Sequence, residues 1–257
     1  MNKLPAAEWM NKVPEVTLYF WIIKIMATTI GETAADYLNF HLGWGLANTT
    51  WFMLALFLVG LIAQLRSKTY IPGIYWLVVV LISVVGTLIT DNLTDNVGVP
   101  LEATTILFAI ALAAAFTIWY RAERTLSIHT IYSGRREYFY WLVILITFAL
   151  GTSAGDLLSE GLDLGYAWSA VLFTAAIALV TFAYFRLRLN AVTAFWIAYV
   201  LTRPFGASVG DYLTQSWDDG GLGLGSAPVT ILFLITIVGL VAYLSVSKRD
   251  RIHTPET

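Results

Sequence analysis

Residues 20–36 read Phe-Trp-Ile-Ile-Lys-Ile-Met-Ala-Thr-Thr-Ile-Gly-Glu-Thr-Ala-Ala-Asp: an aromatic pair, a glycine ten residues after the tryptophan, and an aspartate five residues further on. The same frame returns as Tyr75-Trp76 with Gly86 and Asp91, as Tyr140-Trp141 with Gly151 and Asp156, and as Phe195-Trp196 with Gly206 and Asp211. The glycines stand 55, 65 and 55 residues apart, so copies 1 and 3, and copies 2 and 4, are each offset by 120. A fixed internal period sets the architecture before any single residue is interpreted. Here it describes a pair of repeats that was duplicated.

The stretches around this frame are too apolar for a water-soluble domain. Of 257 residues, 58% are hydrophobic and 12% charged, and the mean hydropathy is +0.72; soluble domains carry roughly 25% charged residues. Eight apolar runs, at about 15–37, 47–65, 72–94, 102–120, 137–158, 166–185, 190–213 and 227–246, each approach the ~20 residues that span a bilayer as a helix. Barrel strands would be about ten residues long with alternating polarity. The expected fold is therefore an all-α polytopic membrane protein of eight transmembrane helices, a single membrane domain over 1–257. It divides into repeats at about 15–70, 71–134, 135–189 and 190–247, with Pro14 suited to the first turn of helix 1. The first run is already long enough to span and no small-residue cleavage site follows it, so no cleaved signal peptide is expected. Without cysteine, disulfides, thiolate metal sites and cysteine nucleophiles are excluded.

The net charge of −2 hides a strong asymmetry. Lys3 and Lys12 precede helix 1, Arg66 and Lys68 follow helix 2, and Arg121, Arg124, Arg135 and Arg136 follow helix 4. Arg186 and Arg188 follow helix 6, and Lys248, Arg249 and Arg251 follow helix 8, whereas the loops after helices 1, 3, 5 and 7 contain no Lys or Arg. The positive-inside rule puts both termini and the even loops in the cytoplasm of a bacterial inner membrane. Ser67 and Ser133, in even loops, are then inaccessible from outside. All four repeats run in one direction, unlike the inverted repeats of many transporters. The four aspartates share one depth near the outer side, and the four tryptophans fall near the cytoplasmic interface, where an aromatic belt is expected.

Four tandem two-helix repeats, each marked by one tryptophan (Trp21, Trp76, Trp141, Trp196), resemble the uncharacterised bacterial membrane-anchored proteins built from four copies of a repeat of unknown function. The resemblance spans nearly the whole chain. It implies fold and topology and supplies no activity.

Candidate site residues come from charge placed inside the membrane, where each ionisable group is a functional hypothesis by default. Asp36, Asp91, Asp156 and Asp211 would form a ring of oxygen ligands, of the kind hard cations favour. A carboxylate at a helix C-terminus opposes the macrodipole, so plain capping does not account for them. Glu32 lies one turn before Asp36 on the same face, and Asp95 lies one turn beyond Asp91 beside Asn92 and Asn96. These six form the expected ion-binding set. Glu32 and the four motif aspartates are the expected metal ligands, and a divalent cation is the expected bound species, with no other cofactor. Lys24 and Arg203 are the expected internal counter-charges, and Pro204 is expected to kink or break its helix. The competing reading makes these charges a static salt bridge, Arg203 with Glu32 or Asp36.

Glu102, Glu160, Asp163, Asp218 and Asp219 make the outer face acidic, as a cation funnel or as a solvated rim. His41 could complete a transition-metal site or simply sit at the interface; His129 and His253 read as solvated. Gly31, Gly86, Gly151 and Gly206 are expected at contacts between odd helices. Residues 220–225, Gly-Gly-Leu-Gly-Leu-Gly, follow no strand and read as a connection, not a phosphate cradle. The basic loops are explained by topology and anionic lipid, so nucleic acid is not an expected partner.

Three functions follow from this pattern. The first is a transporter or channel-like carrier of a small cation, a divalent metal such as Mn²⁺ or a proton-coupled species, with Glu32 as the proton site. The second is a membrane-embedded accessory or binding protein with a structural polar core. The third is an enzyme acting on a lipid or quinone through carboxylate acid–base chemistry; no catalytic motif supports it and no catalytic residue is assigned. The expected partners are the bilayer and a small cation, with room for a homo-oligomer.

Overall fold

The computed structural model describes residues 11–132 and 134–251; Lys3, Ser133 and His253 lie outside the described residues. Eight α-helices follow in order: α1 Leu18–Asp36, α2 Gly45–Arg66, α3 Pro72–Asp91, α4 Leu101–Glu123, α5 Arg135–Asp156, α6 Tyr166–Arg186, α7 Ala191–Thr214 and α8 Ser226–Ser247, with no strand among the described residues. Helix starts carry recognisable signals. Thr17 accepts from the Phe20 amide before α1, Pro72 opens α3, and Asn190 accepts from the Val192 and Thr193 amides before α7. Pro14 lies ahead of α1, not in its first turn, because the capping hydroxyl of Thr17 sets the start three residues later. At the other end, α4 and α8 stop where Arg124 and Lys248 adopt left-handed geometry, φ 57° and 55°.

Six of these helices are long and apolar enough to cross a membrane: α2, α4, α6 and α8, and α3 and α5 with the turns that extend them. Helices α1 and α7 are long enough but less apolar, since they carry Lys24, Glu32 and Arg203. Their neighbours shield them. Helices α1, α3, α5 and α7 close into an inner ring, each touching the next and α7 touching α1. Each even helix packs on the odd helix of the following repeat (α2 on α3, α4 on α5, α6 on α7) and α8 returns to α1. The repeats are thus interlocked, and the outer helices present exposed apolar side chains such as Val59, Ile110, Leu179 and Ile235. Six helices of this length and apolarity are what a membrane protein presents.

The ring is built by one contact made four times. A Cβ at Gly31 would strike Ser83, at Gly86 Phe148, at Gly151 Arg203, and at Gly206 Thr28. Each partner is the residue three before the glycine of the next inner helix, so the four helices are parallel, level and staggered alike. The small residue lets backbones approach closely. Helix α7 runs unbroken through Pro204, because Pro204 is clamped in that contact beside Gly151 and Gly155.

One end of the ring is sealed by aromatics. Phe20 packs on Trp76 (ring centroids 5.5 Å), Tyr75 on Trp141 (5.6 Å), Tyr140 on Trp196 (6.2 Å) and Phe195 on Trp21 (5.8 Å), which closes the circle. The marker tryptophans are therefore not a lipid-facing belt: Trp76, Trp141 and Trp196 are buried and Trp21 is half-buried. Rings at this position gain more from each other than from lipid headgroups. The exposed tryptophans among the described residues, Trp44, Trp51, Trp168 and Trp217, lie at the opposite end.

A cap covers the sealed end. Lys12 donates to Glu137 at 2.6 Å and to the Leu65 carbonyl at 2.9 Å, its amide bonds the Ile131 carbonyl, and the Glu15 amide bonds the Asp250 carbonyl. Tyr70 donates to Asp250 at 2.6 Å, and burial pushes both the Asp250 carboxyl and the Tyr70 hydroxyl above their ordinary values.

Candidate acidic cavity

At the end opposite the aromatic seal the ring opens into a cavity of about 470 Å³. Its lining follows the repeat. Asp36, Asp91, Asp156 and Asp211, the last residues of the frame, form one tier, although α7 continues past Asp211. Four residues further on, Phe40, Asp95, Glu160 and Gln215 form an upper tier. Glu32, one turn below Asp36, forms the floor.

The upper tier is reached through an unforeseen device. Helices α1, α3 and α5 each widen at their C-terminal ends into a five-residue π-turn: Tyr37–His41, Asn92–Asn96 and Leu157–Gly161. Such widened turns are rare and recur at functional sites. They carry Phe40, His41, Asp95 and Glu160 over the rim. Helix α7 has no π-turn and ends at Thr214.

The floor is a buried polar knot. Arg203 donates to Glu32 at 3.0 Å, to Thr152 at 2.6 Å, to Thr87, and to the Thr28 carbonyl at 3.3 Å; Thr87 also donates to Glu32 at 3.4 Å. Glu32, Thr87 and Thr152 occupy the same repeat position, directly after the glycine, and Ala207 fills it on α7. A full-length guanidinium replaces the small Thr28 and Ser83 of equivalent sites, so it reaches across the axis to this level.

The sequence-derived set is therefore brought together in part. Glu32, Asp36, Asp91, Asp95, Asp156 and Asp211 all line the one cavity, and Arg203 pairs with Glu32. Glu160, read from sequence as part of the outer rim, joins them; its signal was its place four residues after Asp156, matching Asp95 after Asp91. It is held by Tyr166 at 2.9 Å.

Two readings need correction, and the asparagines beside Asp95 also fall elsewhere. Lys24 does not act as a counter-charge to the carboxylates. It is fully buried, with its ammonium 3.3 Å from the Thr202 hydroxyl and over the Phe148 and Tyr199 rings at 4.5 and 4.3 Å. Asn92 and Asn96 do not line the cavity: Asn92 donates to Thr50 and the Leu88 carbonyl, and Asn96 donates to Asn92. Nor do the aspartates, Glu32 and His41 converge as one chelate. Among the described residues no three His, Asp or Glu side chains gather closely enough to hold a metal directly. Ring geometry explains this, since identical positions on four packed helices are spread around the circumference. His41 lines the rim and stacks on Tyr37 at 5.8 Å.

A family model described as Repeat of Unknown Function (DUF347) matches four times, at residues 19–70, 74–125, 139–190 and 194–250. The chain belongs to this family. Each matched DUF347 segment starts within two residues of an aromatic pair and runs through the glycine, the aspartate and the following even helix. In the fold, one DUF347 repeat contributes an inner helix to the ring and an outer helix that wraps the next repeat. No curated protein and no solved structure matches the chain.

Proposed function

We propose that the protein is an eight-span carrier of the bacterial inner membrane, with both termini cytoplasmic, that takes a small cation from outside into the acidic cavity. One observation carries this reading: seven carboxylates line a single cavity in which, among the described residues, His41 is the sole basic one. A cleft of one sign between low-dielectric walls concentrates the opposite charge. Its width favours a cation that keeps part of its water, as small divalent ions do, over one stripped onto a tight chelate. The Arg203–Glu32 pair would close the floor and the aromatic circle the cytoplasmic side, so transport would require both to rearrange. The accessory-protein reading draws on the Arg203–Glu32 pair, which is closed without a ligand.

Calorimetric titration of the purified protein with Mn²⁺, Zn²⁺ and Mg²⁺, together with ion flux in liposomes, separates the two. Saturable binding and flux above empty liposomes are expected, both lost in Asp36→Asn with Asp156→Asn while the protein stays folded. No binding and no flux across pH 5–8 would leave the accessory reading. Topology is checked separately, because the natural chain has no cysteine to mask. An impermeant maleimide applied to intact cells is expected to label a cysteine at Ser216, in the loop after α7, and to spare one at Ser67, after α2. The reverse pattern overturns the orientation.

A further inference from the structure

Lys24 sits where the ring asks for no amine. Its counterparts on the other inner helices, seven residues before each glycine, are Val79, Ile144 and Tyr199. It is fully buried, and its hydrogen-bond partner is the Thr202 hydroxyl, which itself donates to the Tyr199 carbonyl and so offers Lys24 a lone pair. Among the described residues no carboxylate lies within ion-pair distance of it.

Among the described residues, the groups facing it from each neighbouring element supply no anion. From α7 come Tyr199, whose own hydroxyl has no partner, and Arg203, a second cation. From α5 comes the Phe148 ring. Tyr75 of α3 and Tyr140 of α5 lie one turn nearer the sealed end, bonded to each other at 2.5 Å. Helix α8, which also packs on α1, carries no Asp, Glu, Lys or Arg. On α1 itself the next charge is Glu32, two turns above, and Arg203 holds it.

The two cations are tied into one joint. Lys24 of α1 touches Thr202 of α7, and the next residue of α7, Arg203, reaches back to Glu32 of α1. An ammonium between two ring faces and one hydroxyl has cation–π attraction but no counter-ion, so its proton is sensitive to any change of charge beside it. Among the described residues, Glu32 is the one carboxylate in ion-pair contact with Arg203. A cation that takes the Glu32 carboxylate leaves Arg203 unneutralised next to Lys24, in a medium where like charges repel strongly.

We propose that Lys24 is the proton site of a cation–proton exchange, giving up its proton when an incoming cation takes Glu32 from Arg203. This rests on the carrier reading above and differs from an assignment of the proton to Glu32. The step balances: Lys24–NH₃⁺ becomes Lys24–NH₂ and one proton enters water for each cation bound, and the proton returns when the cation leaves and Glu32 closes again on Arg203.

The test counts protons. Mn²⁺ titrations of the full-length protein in two buffers of different ionisation enthalpy give the number of protons released per ion bound. The wild type is expected to release protons, and Lys24→Met to bind Mn²⁺ while releasing about one fewer. Lys24→Arg keeps the charge and holds its proton throughout, so it too should release about one fewer, which covers the case in which Lys24→Met fails to fold. An unchanged count in either folded variant overturns the proposal and returns the exchanged proton to the carboxylates. Mn²⁺ binding by the wild type with no proton release also overturns it but leaves the carrier reading standing. Failure of the wild type to bind Mn²⁺, Zn²⁺ or Mg²⁺ removes the carrier reading and this one with it. Should neither variant fold, wild-type flux in liposomes decides, since Mn²⁺ uptake indifferent to an imposed pH gradient overturns the exchange.

Discussion

Alanine at Gly86 is expected to lower the melting temperature in detergent, and leucine there to leave no folded protein. The added Cβ would lie 2.5 Å from the Phe148 Cβ, 3.1 Å from its carbonyl carbon and 3.2 Å from the Ala149 amide nitrogen. The obstacle is largely backbone, which cannot step aside as a side-chain tip can. Gly206 meets the Thr28 Cβ at 2.6 Å and the Thr29 amide at 3.1 Å, and Gly151 meets the Arg203 Cβ at 2.5 Å and Pro204 Cδ at 3.0 Å. Overpacking in a filled interior costs about 1–3 kcal/mol, and these contacts belong at or above its upper end. Gly239, inside α8, provides the control: nothing lies within 4 Å of its added Cβ. Gly239→Ala should be neutral or stabilising by up to about 1 kcal/mol, the helix-propensity difference. Equal effects at Gly86 and Gly239 would mean that the inner ring is not closed by glycine contacts.

That ring also shows what a sequence can and cannot reveal about such a fold. Period and helix number were legible because the frame recurs with fixed spacing, one apolar run on each side of every turn. The common level of Asp36, Asp91, Asp156 and Asp211 followed from the same spacing, and they do line one cavity. What a spacing cannot give is azimuth. Trp76 and Trp141 were read at the correct end of their helices and assigned to lipid, yet they face the next repeat. The partner of Lys24 was hidden for the same reason, since Thr202 and Phe148 belong to helices distant in sequence. Glu160 was visible but easily set aside, because its tier reads Phe40, Asp95, Glu160, Gln215 and shares no residue type. Turns of π geometry leave no such pattern at all.

On the carrier reading, the interlocked packing also constrains how the protein could move. Since each outer helix grips the inner helix of the following repeat, no repeat can move as an independent two-helix unit. A division matching the duplication, α1 to α4 against α5 to α8, would have to loosen the α4–α5 and α8–α1 grips. Two inner contacts would then have to loosen: Gly86 with Phe148 on one side and Gly206 with Thr28 on the other. The second of these lies beside the Arg203–Glu32 pair, which joins the first half to the second.

That pair gives the other large effect. Arg203→Ala is expected to destabilise the protein by about 3–5 kcal/mol, the usual consequence of removing one partner of a buried ion pair. Arg203 is fully buried and Glu32 nearly so, and without the guanidinium the Glu32 carboxylate keeps the single long bond from Thr87. Glu32→Gln should also cost stability, with a different residue: the guanidinium then retains Thr152, Thr87 and the Thr28 carbonyl, all neutral. The double variant Glu32→Gln with Arg203→Met removes both charges at nearly constant volume. Such replacements are often neutral or stabilising, so it should melt near the wild type, with a coupling between the sites well above the ~0.5 kcal/mol expected of independent ones. Additive losses would mean that the two side chains do not pair in the folded protein. The stable double variant also separates architecture from activity. If the pair is a static core, cation binding in the aspartate tier should survive its removal. If it is the floor that a cation must open, the double variant should bind at the rim but show no flux above empty liposomes.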